Sequence, residues 1–168
     1  MTRRRPEVVA FDVNETLLDL APVRAALVEL GQPADVLPTV FSRTLLTGFA
    51  TALAGGWCRF RDAFEAALAQ TTDLAATGRA RVADAFGEPS PHPDVEPALR
   101  LLAGEGVRAV TLSHGAPGVA EAGLPRGGLA PLVERTLTSE SIRAVHPEPH
   151  VHADDLPAAM AALLALPA

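Results

Sequence analysis

An apolar run that stops at a carboxylate constrains this chain more than anything else in it. Val8-Val9-Ala10-Phe11 leads into Asp12 and then into Val13-Asn14-Glu15-Thr16-Leu17-Leu18. A run of β-branched and aromatic residues without a charge predicts a strand within a sheet. When such a strand ends in a single Asp and a polar turn carrying a hydroxyl, an α/β sheet can present a nucleophile at its carboxyl edge. Asp also caps helices and closes turns, so the residues downstream decide between the two roles.

Downstream, helical and strand patterns alternate. Residues 23–30, 37–53, 59–69 and 77–86 are rich in Ala, Leu and Arg and predict helices, with Gly31 and Gly87 as stops. Glu88-Pro89-Ser90-Pro91-His92-Pro93 cannot continue a helix. Beyond it, 95–104 reads as a helix, 107–112 as a second buried strand, 132–137 as a third short strand and 156–166 as a closing helix. There is no internal repeat. The expected fold is α/β with a parallel, doubly wound sheet, its core built from 1–16 and 89–168 and a helical cap inserted at 17–88.

Composition narrows the function. A length of 168 residues suits one modest domain, or a core with an insert. A 48% hydrophobic content and a mean hydropathy of +0.20 argue against disorder. The net charge of -6 speaks against a general nucleic-acid surface, and Arg3-Arg4-Arg5, the one basic run, reads as a solvated end. The single cysteine, Cys58, excludes an internal disulfide framework, suits a reducing cytoplasm and reads as a packed residue rather than a nucleophile. No signal-like opening is seen, and no apolar run approaches the roughly 18 residues that span a bilayer. The expectation is a cytoplasmic protein with neither a nucleic-acid nor a membrane partner. All fourteen Lys+Arg residues are Arg, and tyrosine is absent as well.

Three further segments carry chemistry. Thr111-Leu112-Ser113-His114-Gly115 ends the second strand; a hydroxyl and backbone N–H groups there can hold a carboxylate or phosphate, and Gly115 permits a close turn. Phe41-Ser42-Arg43-Thr44-Leu45-Leu46 is followed by Gly56-Trp57-Cys58-Arg59-Phe60. The guanidinium of Arg43 is permanently charged and forks to fit a carboxylate, whereas Trp57 and Phe60 read as cap packing. The run Leu137-Thr138-Ser139-Glu140-Ser141-Ile142-Arg143-Ala144-Val145-His146-Pro147-Glu148-Pro149 comes last. His146 and His150 would share a helical face suited to a metal, but Pro147 and Pro149 forbid that helix, so His146, His150 and His152 read as loop residues and no metal site is expected.

In this order, with a helical insert between the first and second motifs, the segments resemble the haloacid dehalogenase superfamily, in particular its L-2-haloacid dehalogenase-like branch. The resemblance runs from Val8 to His146 and again over the last helix. It implies a Rossmannoid core in which Asp12 attacks the substrate and Thr16 steadies the Asp loop. Ser113, with His114 in place of an amide and Gly115, would hold the substrate's anionic group, and Arg43 would receive the departing halide and pair with the substrate. Asn14 stands where phosphatases of the superfamily carry a second Asp as acid/base. An amide cannot donate and recover a proton as a carboxyl does, so halide displacement gains over phosphoryl transfer.

The chain departs from the pattern twice. The expected Lys before the first Pro is His146, and no lysine elsewhere can replace it. With an ordinary pKa of about 6.5, an imidazolium beside Asp12 would replace that lysine in part. The fourth motif, a helix, strand and acidic loop, looks internally lost, because Pro149-His150-Val151-His152 leads almost directly to Asp154-Asp155 and the terminal helical run. The lost strand would flank the Asp12 strand, whose open edge is then expected to be covered by the terminal helix, a Val151-centred segment or a second copy in a homodimer. The implied function is cofactor-free hydrolysis of a small anionic 2-haloacid through an Asp12 ester. Two alternatives stand beside it: a noncatalytic binding protein or enzyme remnant, and a magnesium-dependent phosphatase.

Overall fold

A computed structural model of the chain describes residues 6–115, 119, 123–125 and 127–138. Strands β1 (Val8–Phe11), β4 (Arg108–Ser113) and β5 (Arg135–Thr138) form a parallel sheet in the order β1-β4-β5. Between β1 and β4 lie β2 (Leu18–Asp19), the helices α1 (Ala21–Glu29), α2 (Leu37–Leu53), α3 (Phe60–Thr71) and α4 (Ala76–Asp84), then β3 (Ser90–Pro91) and α5 (Val95–Gly104). The strand β4 is central, and five of its six residues are buried or half-buried while β1 is only half-buried.

Local chemistry explains the element ends. Helix α1 starts at Ala21 because Pro22 fits a first helical turn. Arg59 is extended, so α3 begins one residue later than the pattern suggests. Pro131 lies in a 3₁₀ turn, Ala130–Leu132, which delays the third strand to Arg135. The ribbon β2–β3 was not expected: Leu18 pairs with Pro91 and Asp19 with Ser90, antiparallel, joining the entry and exit of the helical insert. Prolines that read as breakers are tolerated in a ribbon this short, where each has a free edge.

Two hydrophobic clusters result. One gathers Leu20, Val23, Leu27, Val40, Phe64, Leu68, Val82 and Phe86 among the helices. The other gathers Val13, Leu17, Leu18, Val95, Leu99, Ala109, Leu124 and Leu129 against the sheet. Leu17 and Leu18, which the sequence pattern assigns to the insert, thus pack with the core. Helix α2 buries Leu37, Val40 and Thr44 and leaves Leu46, Phe49 and Leu53 exposed. The helical stretch Ala34–Leu53 has a mean hydropathy of 1.3 and is, by length and composition, able to cross a membrane. The stretch carries Asp35 and Arg43, so it is not an uninterrupted apolar run, and its hydropathy comes from apolar residues on both faces of α2. The residues His146, His150, His152 and Asp154-Asp155 and the closing helix lie outside the described residues.

Candidate active site

Parallel strands bring their carboxyl ends to one edge. Phe11 pairs with Thr111, so Asp12 leaves β1 level with the end of β4, where Ser113 in turn pairs with Thr138 of β5. The turn after Asp12 is tightly held: the Val13 carbonyl accepts the Leu17 and Leu18 N–H groups, both at 2.9 Å, and Glu15 N–H donates to Leu18 O at 2.7 Å. Glu15 is left-handed, with φ of 60°, a costly state for a residue with a Cβ. Its carboxylate secures it, accepting Leu20 N–H at 2.9 Å and facing Arg24 at 3.3 Å. Within this turn Thr16 Oγ1 donates to Asp12 Oδ2 at 3.1 Å, which fixes the carboxylate's orientation.

Ser113 Oγ accepts the Gly115 N–H at 3.0 Å and so keeps its own proton to donate. A Cβ on Gly115 would lie 3.3 Å from Ser113 Oγ, a tight contact, and 3.5 Å from Asn14 Nδ2, an ordinary one. Asn14 is buried, and its Oδ1 has no hydrogen-bond partner among the described residues. These groups surround a cavity of about 150 Å³. Asp12, Asn14, Ser113, His114 and Gly115 line its sheet side, and Phe41, Leu45 and Phe60 line its helical side. Asp12 is the one carboxylate among these lining residues.

Solved structures match the fold of this chain over most of its length. The structure of L-2-haloacid dehalogenase from Xanthobacter autotrophicus superposes with a TM-score of 0.77 at 24% identity, covering 98% of this chain and 67% of that one. The chain has the haloacid dehalogenase fold. A second structure of the Xanthobacter autotrophicus enzyme, with chloropropionic acid covalently bound, gives a TM-score of 0.75 at 24% identity over the same 98% and 67%. A predicted phosphoglycolate phosphatase from Haemophilus somnus also matches, with a TM-score of 0.57 at 18% identity, covering 94% of this chain and 70% of that one. No family model matches the sequence, and no curated protein matches it significantly. The chain spans about two thirds of the length of the dehalogenase structures, between 64% and 67% for several of them.

On this haloacid dehalogenase fold, the sequence-predicted Asp12, Asn14, Ser113, His114 and Gly115 converge on one cavity, with Thr16 behind Asp12. Arg43 is elsewhere. Phe41 and Leu45, one helical turn apart, face the cavity, and Arg43 lies midway between them on the opposite side of α2. It is exposed there, its guanidinium donating to Gln70 Oε1 at 3.3 Å. His146 lies outside the described residues. Phe60 does more than pack the cap: it stacks edge-on against Phe86 at 5.5 Å and also walls the cavity. The role of the i, i+4 pair Phe41/Leu45 as a cavity wall escaped the sequence reading, because apolar wall residues look like core in a sequence.

Proposed function

We propose that the chain is a hydrolase of the haloacid dehalogenase type that displaces halide from a small 2-haloacid. The observation that carries this reading is Asp12: a carboxylate at the carboxyl end of β1, oriented by Thr16 at 3.1 Å, on the floor of a small cavity with Asn14 rather than a second carboxylate beside it. An Asp12 oxygen attacks C-2, the carbon–halogen bond breaks and its electron pair leaves with the halide, giving an ester on Asp12. Water then attacks the carboxyl carbon of Asp12, releasing the 2-hydroxy acid, restoring the carboxylate and freeing a proton. Halide departs without a proton, so the first step has no need of the acid that Asn14 cannot supply.

The Ser113 hydroxyl would donate to the substrate carboxylate. Asn14 Oδ1, a buried acceptor lacking a partner among the described residues, would accept a hydrogen from the hydrolytic water. His146, as imidazolium, would offset the charge of Asp12. Arg43, held against Gln70 on the far face of α2, is left with a role in joining α2 to α3.

Halide release from L-2-chloropropionate tests this, with Asp12→Asn beside the unaltered protein and intact mass followed in the same reaction. Release that Asp12→Asn abolishes is the expected result, and an adduct on the unaltered protein would identify the ester. No halide and no adduct would overturn the proposal in favour of a binding protein or remnant. Phosphate release requiring both magnesium and Asp12 would overturn it in favour of a phosphatase.

A further inference from the structure

The catalytic cavity does not end at its helical wall. A second cavity of about 320 Å³ adjoins it and shares Asn14, Phe60 and Gly115 with it. Its depth is apolar: Phe64 and Phe86 are buried, with ring centroids 4.9 Å apart and planes perpendicular, and Ala83 and Val119 complete the wall. Its rim carries charge, but that charge is already matched, because Arg61 donates to Asp84 Oδ1 at 2.7 Å and to Glu65 Oε1 at 2.8 Å. The hydrogen bond to Asp84 is the main cause that raises Arg61 above its ordinary pKa, so the guanidinium stays charged. A space of this size suits an organic group rather than a few waters, and a paired rim offers no free charge to a second ionic group.

We infer that this second cavity receives the arm of the substrate beyond C-2, and that the arm is an uncharged aromatic or branched alkyl group. The inference rests on the proposed displacement at C-2. A carboxylate held at Ser113 and a C-2 set before Asp12 fill the smaller cavity, and the junction at Asn14, Phe60 and Gly115 is the opening through which C-3 and beyond extend. Gly115 lines both cavities and adds no side chain at that junction. The arm exchanges water for contact with Phe60 and the edge of Phe86, with Phe64 packed behind them, a gain that the methyl group of a propionate cannot make.

The test compares kcat/KM for L-2-bromopropionate and L-2-bromo-3-phenylpropanoate, which share a leaving group and differ only in the arm. It is paired with thermal-shift measurements on the unreactive acids propionate and 3-phenylpropionate. Two substitutions narrow the second cavity without touching the first, Val119→Phe and Ala83→Leu; Val119 is half-buried and the more readily accommodated. The expected result is a preference of roughly tenfold or more for the phenyl substrate, erased by each substitution while turnover of 2-bromopropionate persists. The Tm would rise more with 3-phenylpropionate than with propionate, and only in the unaltered protein. Asp12-dependent release from 2-bromopropionate, with no preference for the phenyl substrate and no response to either substitution, would overturn the inference and leave the dehalogenation standing. Release from neither substrate, with a 3-phenylpropionate shift still lost on narrowing the cavity, would remove the dehalogenation and keep the apolar subsite.

Discussion

Asp12 and Asn14 sit on one turn, yet the first is exposed to the cavity and the second is buried with an acceptor to spare. That contrast separates their proposed steps. Replacing Asn14 with Leu keeps much of its volume and removes the acceptor, so ester formation should continue while hydrolysis slows. Intact-mass measurement after mixing with L-2-chloropropionate should then show a longer-lived adduct than in the unaltered protein; an unchanged adduct lifetime would remove Asn14 from the hydrolytic step. His146 predicts a pH effect. An imidazolium beside Asp12 loses its charge as pH rises, so kcat/KM should fall with rising pH. His146→Ala should flatten the profile at a lower level, and a flat profile in the unaltered protein would dismiss the idea. The polar half of the site was legible because strand ends advertise it: Asp12 and Ser113 each close a strand, and Thr16 follows Asp12 in the polar turn. The apolar half was not, because Phe41, Leu45 and Phe60 differ from core residues only in what they face.

Among the elements, α3 holds the helical insert together. Phe64 is fully buried, its ring 4.9 Å from Phe86 and 6.1 Å from Phe60, so its removal opens a cavity between helices that cannot collapse onto one another. Phe64→Ala should cost about 3–5 kcal/mol in urea unfolding. Leu53→Ala on α2, where the side chain is 85% exposed, should change stability by less than about 0.5 kcal/mol; equal losses from the two would contradict this account of the packing. Helix interiors were readable from the sequence, and α2 and α5 run over the residues the pattern indicates, Leu37–Leu53 and Val95–Gly104. Ends set by a single backbone state were not, as at Arg59 and Pro131. The ribbon β2–β3 was hidden because it pairs segments on either side of the whole insert, and each of its strands has only two residues, too few for any period to register.

At the scale of the whole molecule, two features tie the insert and the sheet to their surroundings. Gly127 packs so closely on the ribbon that a Cβ there would lie 2.0 Å from Pro91 Cγ. Gly127→Ala should therefore lower the Tm through a forced shift of backbone or ring, and an unchanged Tm would show that the ribbon gives way freely. The second feature is the outer edge of β1. Among the described residues β1 pairs with β4 alone. The Glu7 carbonyl accepts Arg108 N–H at 3.0 Å, so by the alternation of a strand Val9 and Phe11 also turn their backbone groups toward β4, and Val8 and Ala10 turn theirs outward. An unpaired row of this kind in an apolar strand invites another strand or a covering helix, which is why we expect it to be covered in the intact protein. Amide hydrogen exchange resolves the question residue by residue. Covered, the outward Val8 and Ala10 N–H groups should exchange nearly as slowly as the inward Val9 N–H; uncovered, they should exchange far faster than it does, and the expectation fails. Protection that persists on dilution would assign the cover to the same chain, whereas protection lost on dilution would assign it to a second copy, because only the latter depends on protein concentration.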